Sequence, residues 1–446
     1  MSRIACLFAL VLAFPATAQD EVSPRPVPRE EDGVVSSETV TSSKTEAAPE
    51  ILSPITLVPR ARPEGLPTVS PRQAAFETWV SRFRGRALVQ GVDRATVDAA
   101  LDGLTYDTSV IARDRNQSEF TSTLWDYLDA AVSDTRVETG RAVLDEYARV
   151  LDAVESQYGV DKEVVAAIWG LESNYGSHRG ETRLIDALAT LAFDGRRGAF
   201  FEAQLIAALK ILESGDTARE TLTGSWAGAM GHTQFIPTTY LVHAVDFTGD
   251  GKRDIWGDNP ADALASTAAY LARHGWVLDQ PWGVEVALPE DFDYTLAKRD
   301  VSRLPSEWAE LGVTAVDGSA VPDHAEASIM VPAGAEGAAF MTFPNFHVIE
   351  RYNAADAYVI AVGHLSDRIA GGDPIQADWP REDRSLSNAE REELQRRLTA
   401  AGFNTQGIDG RIGPLTVAAV RAYQRETGMV PDGFASLRVL EALRDG

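Results

Sequence analysis

The chain has 446 residues, 44% hydrophobic and 24% charged, with a formal net charge of −25. That acidity disfavours nucleic acid and anionic membrane surfaces as partners, because both are held by basic patches. A single cysteine, Cys6, excludes a disulfide scaffold or a thiolate metal site, while the length allows about three units with buried cores.

The first residues read as an export signal: Arg3, an uncharged apolar run from Ile4 to Phe14, then Ala16-Thr17-Ala18 as a small-residue cleavage site. Residues 1–18 are therefore expected to be a signal peptide and the protein to work in the periplasm. No other stretch approaches the roughly 18 to 20 apolar residues of a membrane helix, so no membrane span is expected. Cys6 sits inside the apolar run, not just after it, which argues against a lipid anchor.

Residues 19–72 are rich in Pro, Ser, Thr and Glu, with nine of the 22 prolines and no aromatic residue. Such a composition cannot bury enough apolar surface to offset chain ordering, and a disordered tether is expected. Aromatics return as Phe76, Trp79 and Phe83, spaced for one helix face. From there to about Gly275 the pattern is mostly helical, with Asp161 placed to cap a helix through Val164, Val165 and Ile168. Between Trp282 and Ile349, "WGVEVALP", "ASIMVP", "AAFMTF" and "FHVIERY" are short β-prone runs and predict a small sheet. Helical spacing resumes over Ala357 to Ile369. A Gly, Pro and charge-rich linker follows at 373–386, then a compact unit over 387–446.

In "VVAAIWGLESNYGS" a helix places Val165, Ile168, Trp169, Glu172 and Tyr175 on one face, so Glu172 shares an apolar stripe. Burial and a helix C-terminus both raise a carboxyl pKa, and a carboxyl protonated near neutrality is a general acid. Taken alone, the segment is equally consistent with a rim-exposed glutamate or one paired with a buried arginine. The next informative stretch, "GSWAGAMGHTQFIPTTY", combines Gly224, Gly228 and Gly231 with Gln234 and Phe235. Glycines permit close backbone approach, and Gln234 can both donate to and accept from sugar hydroxyls and acetamides. A plain glycine-rich turn before a helix would also account for the glycines.

"DFTGDGKRDIWGDNPADA" opens like a calcium loop, with Asp246, Thr248 and Asp250 followed by Gly251. Counting Asp246 as the first position, the twelfth is Gly257 where a bidentate Glu is usual, so a later acid such as Asp262 would have to close the loop. The Lys252 carbonyl would supply the backbone ligand. A structural Ca²⁺ with no part in catalysis is the expectation; an Asp and Gly turn without metal is the alternative.

"GLESNYG", "GAMGHTQFIPTTY", "DFTGDGKRDIW", "ALASTAAYLARHGW" and "RYNAADAYVIAVGHLSDRI" together resemble the lytic murein transglycosylase B family, over roughly Phe76 to Arg368. The resemblance implies an α+β, mainly α, lysozyme-like catalytic domain over 73–372 with a small β-subdomain. Its catalytic acid would be Glu172, with Ser173, Gln234, Phe235, Tyr352, Asn353 and Tyr358 binding substrate, and its loop a longer cation site of the kind just described. His232 departs from the family's pattern, where a glutamine or tyrosine is expected. The implied reaction cleaves the β-1,4 bond from N-acetylmuramic acid to N-acetylglucosamine without water, leaving 1,6-anhydromuramoyl ends, with no catalytic cofactor. "GIDGRIGPLTVAAVRAYQ", with turns at Asp409-Gly410 and Asp432-Gly433, resembles the three-helix peptidoglycan-binding domain, although the same helices would also suit a dimerisation module. Glycan strands are the implied partner, and cell-wall synthesis or division proteins are candidate protein partners. A goose-type hydrolysing muramidase and a wall-binding scaffold without activity are the competing readings.

Overall fold

The computed structural model describes residues 70–115 and 122–446. The signal and nearly all of the tether expected from the sequence lie outside these residues. Pro71 and Arg72, assigned to the tether, instead open the first helix, Pro71–Val89, and Arg72 pairs with Asp194 at 2.9 Å. None of the described helices is long and apolar enough to cross a membrane.

Helices dominate up to Arg273 and pack on one core in which Ile168, Leu184, Leu188, Leu205, Leu264 and Val359 are completely enclosed. At its centre runs the helix Lys162–Ser173, with every residue from Val164 to Gly170 buried. This all-round burial explains why only its polar exceptions carry information. Asp161 does stand at its N-cap, but its carboxylate makes no cap bond. Instead it accepts from Trp276 Nε1 at 2.7 Å, tying the helix start to the segment beyond Arg273. Two short strands, β1 (Thr182–Arg183) and β2 (Thr223–Gly224), pair antiparallel beside the glycine-rich loop.

The β-prone region forms an antiparallel sheet of β3 (Gly283–Ala287), β4 (Thr314–Ala315), β5 (Ser328–Met330) and β6 (Ala339–Thr342), in the order β4-β3-β6-β5. It encloses its own small core of Val286, Trp308, Ile329, Met341 and Phe343. One expected strand is a helix: "FHVIERY" lies in Pro344–Tyr352. Pro344 fixes the first helical residue, and Asn345, Phe346, Val348 and Ile349 bury one helical face, so tertiary burial overrides the β-preference of the local composition.

The terminal unit is the expected three-helix body, Asn388–Ala400, Pro414–Glu426 and Leu437–Asp445, around Leu394, Leu398, Val420, Tyr423, Leu440 and Leu443. Ser387 and Glu390 form a capping box at its first helix. The segment 373–386 has no regular element, yet it is strapped down. Glu285 accepts from the backbone N–H groups of Gln376 and Ala377, Trp379 meets Trp125 at 6.4 Å between ring centroids, and Arg381 pairs with Asp129. The terminal unit docks through Asp432, which accepts from Ala335 N–H at 2.9 Å, and through Arg438 with Glu336.

Candidate active site

Glu172 lies in the last turn of its helix, which ends because Asn174 and Tyr175 take left-handed backbone conformations, φ 49° and 54°. Tyr175 therefore leaves the helical stripe on which the sequence placed it, although its ring still packs edge-on against Trp169. A third left-handed residue, Gln234 at φ 55°, faces the same region. Strained non-glycine backbone concentrated in this way is characteristic of functional sites.

A groove of about 1650 Å³ runs across the helical body, with Glu172, Tyr127, Gln234, Asn353 and Tyr358 in its wall. It is larger than a drug-sized pocket, which suits several units of a polymer. Glu172 is only 9% exposed, and its Oε1 accepts from the Tyr358 hydroxyl at 2.6 Å. Burial raises its pKa to about 7, against which the Tyr358 hydrogen bond works in the opposite sense. No second carboxylate contributes to that shift. Oε2 has no hydrogen-bond partner among the described residues and is free to carry the proton. Burial likewise raises the pKa of Tyr127, Tyr352 and Tyr358, with the nearby Glu172 charge acting in the same direction. All three phenols are neutral donors throughout the physiological range.

Gln234 donates from Nε2 to the carbonyls of Gly231 at 2.8 Å and Arg179 at 3.1 Å. This fixes the amide orientation and leaves Oε1, an acceptor, without a partner among the described residues, on a side chain in the groove wall. Asn353 Oδ1 accepts from Ala355 N–H at 3.1 Å, which leaves its NH₂ group as a donor. Tyr352 donates to the Thr233 carbonyl and so holds the loop that carries Gln234.

Two expected substrate ligands stand elsewhere. Ser173 is completely buried; its hydroxyl donates to the His232 carbonyl and accepts from Gly176 N–H. One residue along a helix turns the side chain by about 100°, so the neighbour of Glu172 faces inward, away from the groove. Phe235 is 2% exposed and packs at a tilt against Tyr352, with ring centroids 5.9 Å apart. Its contribution is to position that tyrosine. Conversely, Tyr127, on the helix Leu124–Ala131, lines the groove and was not picked out from the sequence.

His232 also acquires a place. The Trp169 indole N–H can only donate, and it does so to His232 Nδ1 at 3.1 Å. Nε2 must therefore carry the ring proton, which it donates to the Gly257 carbonyl at 2.7 Å. Burial lowers the pKa of this histidine, as does the Arg179 charge, which keeps the ring neutral. His232 joins the acid's helix, the glycine-rich loop and the start of the segment around Gly257.

In the acidic loop, carboxylate oxygens of Asp246, Asp250 and Asp262 approach within 4.8 Å of one another. Asp262, though distant in sequence, faces the loop: it accepts from the N–H groups of Phe247, Thr248 and Asp254 at 2.9 to 3.0 Å. Asp246 accepts from Gly249 and Gly251. Asp246 Oδ2 and Asp262 Oδ2 each accept a single N–H bond and retain a second lone pair for an ion. Burial raises the pKa of Asp262, and the Asp246 charge adds to it.

The profile of the transglycosylase SLT domain family matches residues 75–367. The chain belongs to that family. The SLT domain is followed at 387–443 by a match to a peptidoglycan binding domain. Among curated proteins, this SLT transglycosylase is 34% identical over 251 residues to the membrane-bound lytic murein transglycosylase B of Escherichia coli; the match covers 55% of the chain and 66% of that relative's length. Among solved structures, SltB3 from Pseudomonas aeruginosa, in complex with NAG-anhNAM-pentapeptide, is 49% identical and superposes with a TM-score of 0.81 over 83% of this chain and 99% of that one. The Escherichia coli lytic transglycosylase Slt35 in complex with calcium is 29% identical, with a TM-score of 0.56 over 67% of this chain and 93% of that one. The lysozyme-like, mainly helical fold read from the sequence is thus the fold of this chain.

Proposed function

We propose that the chain is a lytic transglycosylase that cleaves peptidoglycan glycan strands with one acid, Glu172. The observation that carries this reading is a buried carboxyl, with a pKa raised to about 7 and no second carboxylate contributing to that shift, in the wall of a polymer-sized groove. A retaining hydrolase needs a second carboxylate about 5 to 5.5 Å away, and an inverting one about 6.5 to 9.5 Å away. No such charge perturbs Glu172. Its isolation favours intramolecular chemistry over both the goose-type hydrolase and the inactive scaffold.

Protonated Glu172 delivers its proton to the glycosidic oxygen between N-acetylmuramic acid and N-acetylglucosamine, and the anomeric C–O bond breaks. The acetamide oxygen of the muramoyl residue bonds to the cationic anomeric carbon. Glu172, now a carboxylate held by the Tyr358 hydroxyl, takes the proton from the muramoyl C6 hydroxyl. O6 then displaces the acetamide, closing the 1,6-anhydro ring and restoring the acid. Gln234 Oε1 and the Asn353 NH₂ group orient the sugar, and the Tyr127 phenol lies in the same wall. Mass spectrometry of digested sacculi tests the reaction: anhydromuramoyl ends are expected, and reducing ends 18 Da heavier would identify a hydrolase.

The acidic loop serves as a structural Ca²⁺ site. Asp246, Asp250 and Asp262 supply charge, with the Thr248 hydroxyl and Lys252 carbonyl completing the oxygen set; the ion offsets the mutual repulsion and pins the loop that precedes the His232 contact at Gly257. Calcium at about 100 times its Kd is expected to add about 2.7 kcal/mol of stability, read as a rise in Tm that a chelator reverses. An unchanged Tm would leave the loop as a metal-free turn. A cleaved signal at 1–18 and a periplasmic location complete the reading, the terminal unit holding the enzyme on its polymer and raising local substrate concentration.

A further inference from the structure

The terminal unit contains the same device twice. In the first copy, the helix residue Gln395 accepts through Oε1 from the N–H groups of Asp409 and Gly410, both at 2.9 Å, and donates from Nε2 to Asp409 Oδ1 at 3.1 Å. Asp409 Oδ1 also accepts from Arg411 N–H at 2.9 Å. In the second copy, Gln424 accepts from Gly433 N–H and donates to Asp432 Oδ1, both at 2.7 Å, and Asp432 Oδ1 accepts from Phe434 N–H at 2.9 Å. The glutamine and the residue two places on consume one carboxylate oxygen in each copy and leave the other projecting.

In the second copy that projecting oxygen is occupied. Asp432 Oδ2 accepts from Ala335 N–H at 2.9 Å, in the short segment Ala333-Gly334-Ala335 of the catalytic body. Gly334 adopts φ 74°, the sign that L-residues avoid and D-residues favour. The device thus holds a small-residue peptide with one D-like backbone unit, beside the partly buried Phe434. In the first copy Asp409 Oδ2 has no partner among the described residues. Three aliphatic side chains on the same turn and the start of the next helix stand in solvent: Ile408 at 49%, Ile412 at 36% and Leu415 at 52% exposure.

We infer that the Asp409-Gly410 turn is a receptor for the stem peptide of peptidoglycan. It takes an alanyl, D-residue-bearing peptide as Asp432 takes Ala333-Gly334-Ala335: Asp409 Oδ2 accepts a peptide N–H, and Ile408, Ile412 and Leu415 cover the alanine methyl groups. This rests on the proposal that the terminal unit binds peptidoglycan, and it names the part of the polymer that is recognised. The enzyme would accordingly dwell on peptide-bearing strands and pass over stripped ones.

The test uses the full chain carrying Glu172→Gln, so that the polymer survives, sedimented with intact sacculi and with sacculi stripped of stem peptides by an amidase. Asp409→Asn keeps the Oδ1 acceptor that shapes the turn and replaces the projecting acceptor by an NH₂ donor. It is expected to weaken binding to intact sacculi about tenfold, the effect of one charge-assisted hydrogen bond. Leu415→Ser, at an exposed position, is expected to act in the same direction, and neither substitution is expected to change binding to stripped sacculi. Equal binding of intact sacculi by all three proteins, or equal losses on both polymers, overturns the inference and assigns the turn to a protein partner. Failure of the unsubstituted turn to bind either polymer overturns the underlying reading of the domain instead.

Discussion

Glu172→Gln is expected to lower cleavage of sacculi by about 10³-fold or more while making the protein more stable at neutral pH. Glutamine keeps the acceptor for the Tyr358 hydroxyl, so the fold and the sugar groove persist, but it has no proton to deliver or reclaim. The stability gain follows from linkage. Burial raises the carboxyl from 4.5 to about 7 in the folded state, so the unfolded chain ionises at a lower pH than the native one. Stability is fully retained below 4.5, falls as the pH rises from there to about 7, and is then lower by about 3 kcal/mol. The variant carries no such cost, and its Tm advantage should grow across that window and level off above it. In the active protein the same titration requires the rate to fall as pH rises through about 7, since the acid must start protonated. A variant that still digested sacculi at near the original rate, or a Tm difference independent of pH, would refute the assignment.

The parts of the site legible in the sequence are those where a local pattern violates its surroundings. An acid in an apolar helical stripe is such a violation, and the structure makes Glu172 a buried carboxyl with a raised pKa. Asp262 was reachable because the calcium-loop spacing lacked its twelfth-position acid and demanded one further on. Tyr127 was not reachable: a tyrosine in "LWDYLDAA" is an unremarkable helix residue until the chain returns 45 positions later to put Glu172 beside it. Ser173 and Phe235, which the family resemblance implies as substrate ligands, turn inward instead, because the neighbour of a groove residue in sequence does not share its face. His232 needed the fold most of all. Its two hydrogen-bond partners, the Trp169 indole and the Gly257 carbonyl, lie on separate segments, and only their joint geometry fixes the tautomer. In the β-subdomain the β-prone composition of β3 and β6 is legible, but "FHVIERY" has the composition of a strand and the burial pattern of a helix.

The glycine-rich loop yields the sharpest stability expectation. Gly231 lies at φ 69°, and a Cβ there would sit 2.2 Å from the Ile255 carbonyl oxygen and 2.9 Å from its carbon. That oxygen is no mobile side-chain end, because it accepts from His232 N–H at 3.0 Å. Gly231→Ala must therefore separate two backbone segments or break the bond between them, in addition to straining φ. A loss of about 3 kcal/mol or more is expected in chemical denaturation. The Gly231 carbonyl is also one of the two that orient Gln234. Displacing it by about 1 Å should reduce cleavage roughly 100-fold even at temperatures where the variant stays folded. Gly249→Ala is the control. Its φ of 75° is equally left-handed, but nothing lies within 4 Å of the added Cβ. It should lose only the conformational term, about 1 kcal/mol. Matching losses for the two variants would mean that the close approach of Gly231 to Ile255 contributes nothing, and that the loop's geometry is set elsewhere.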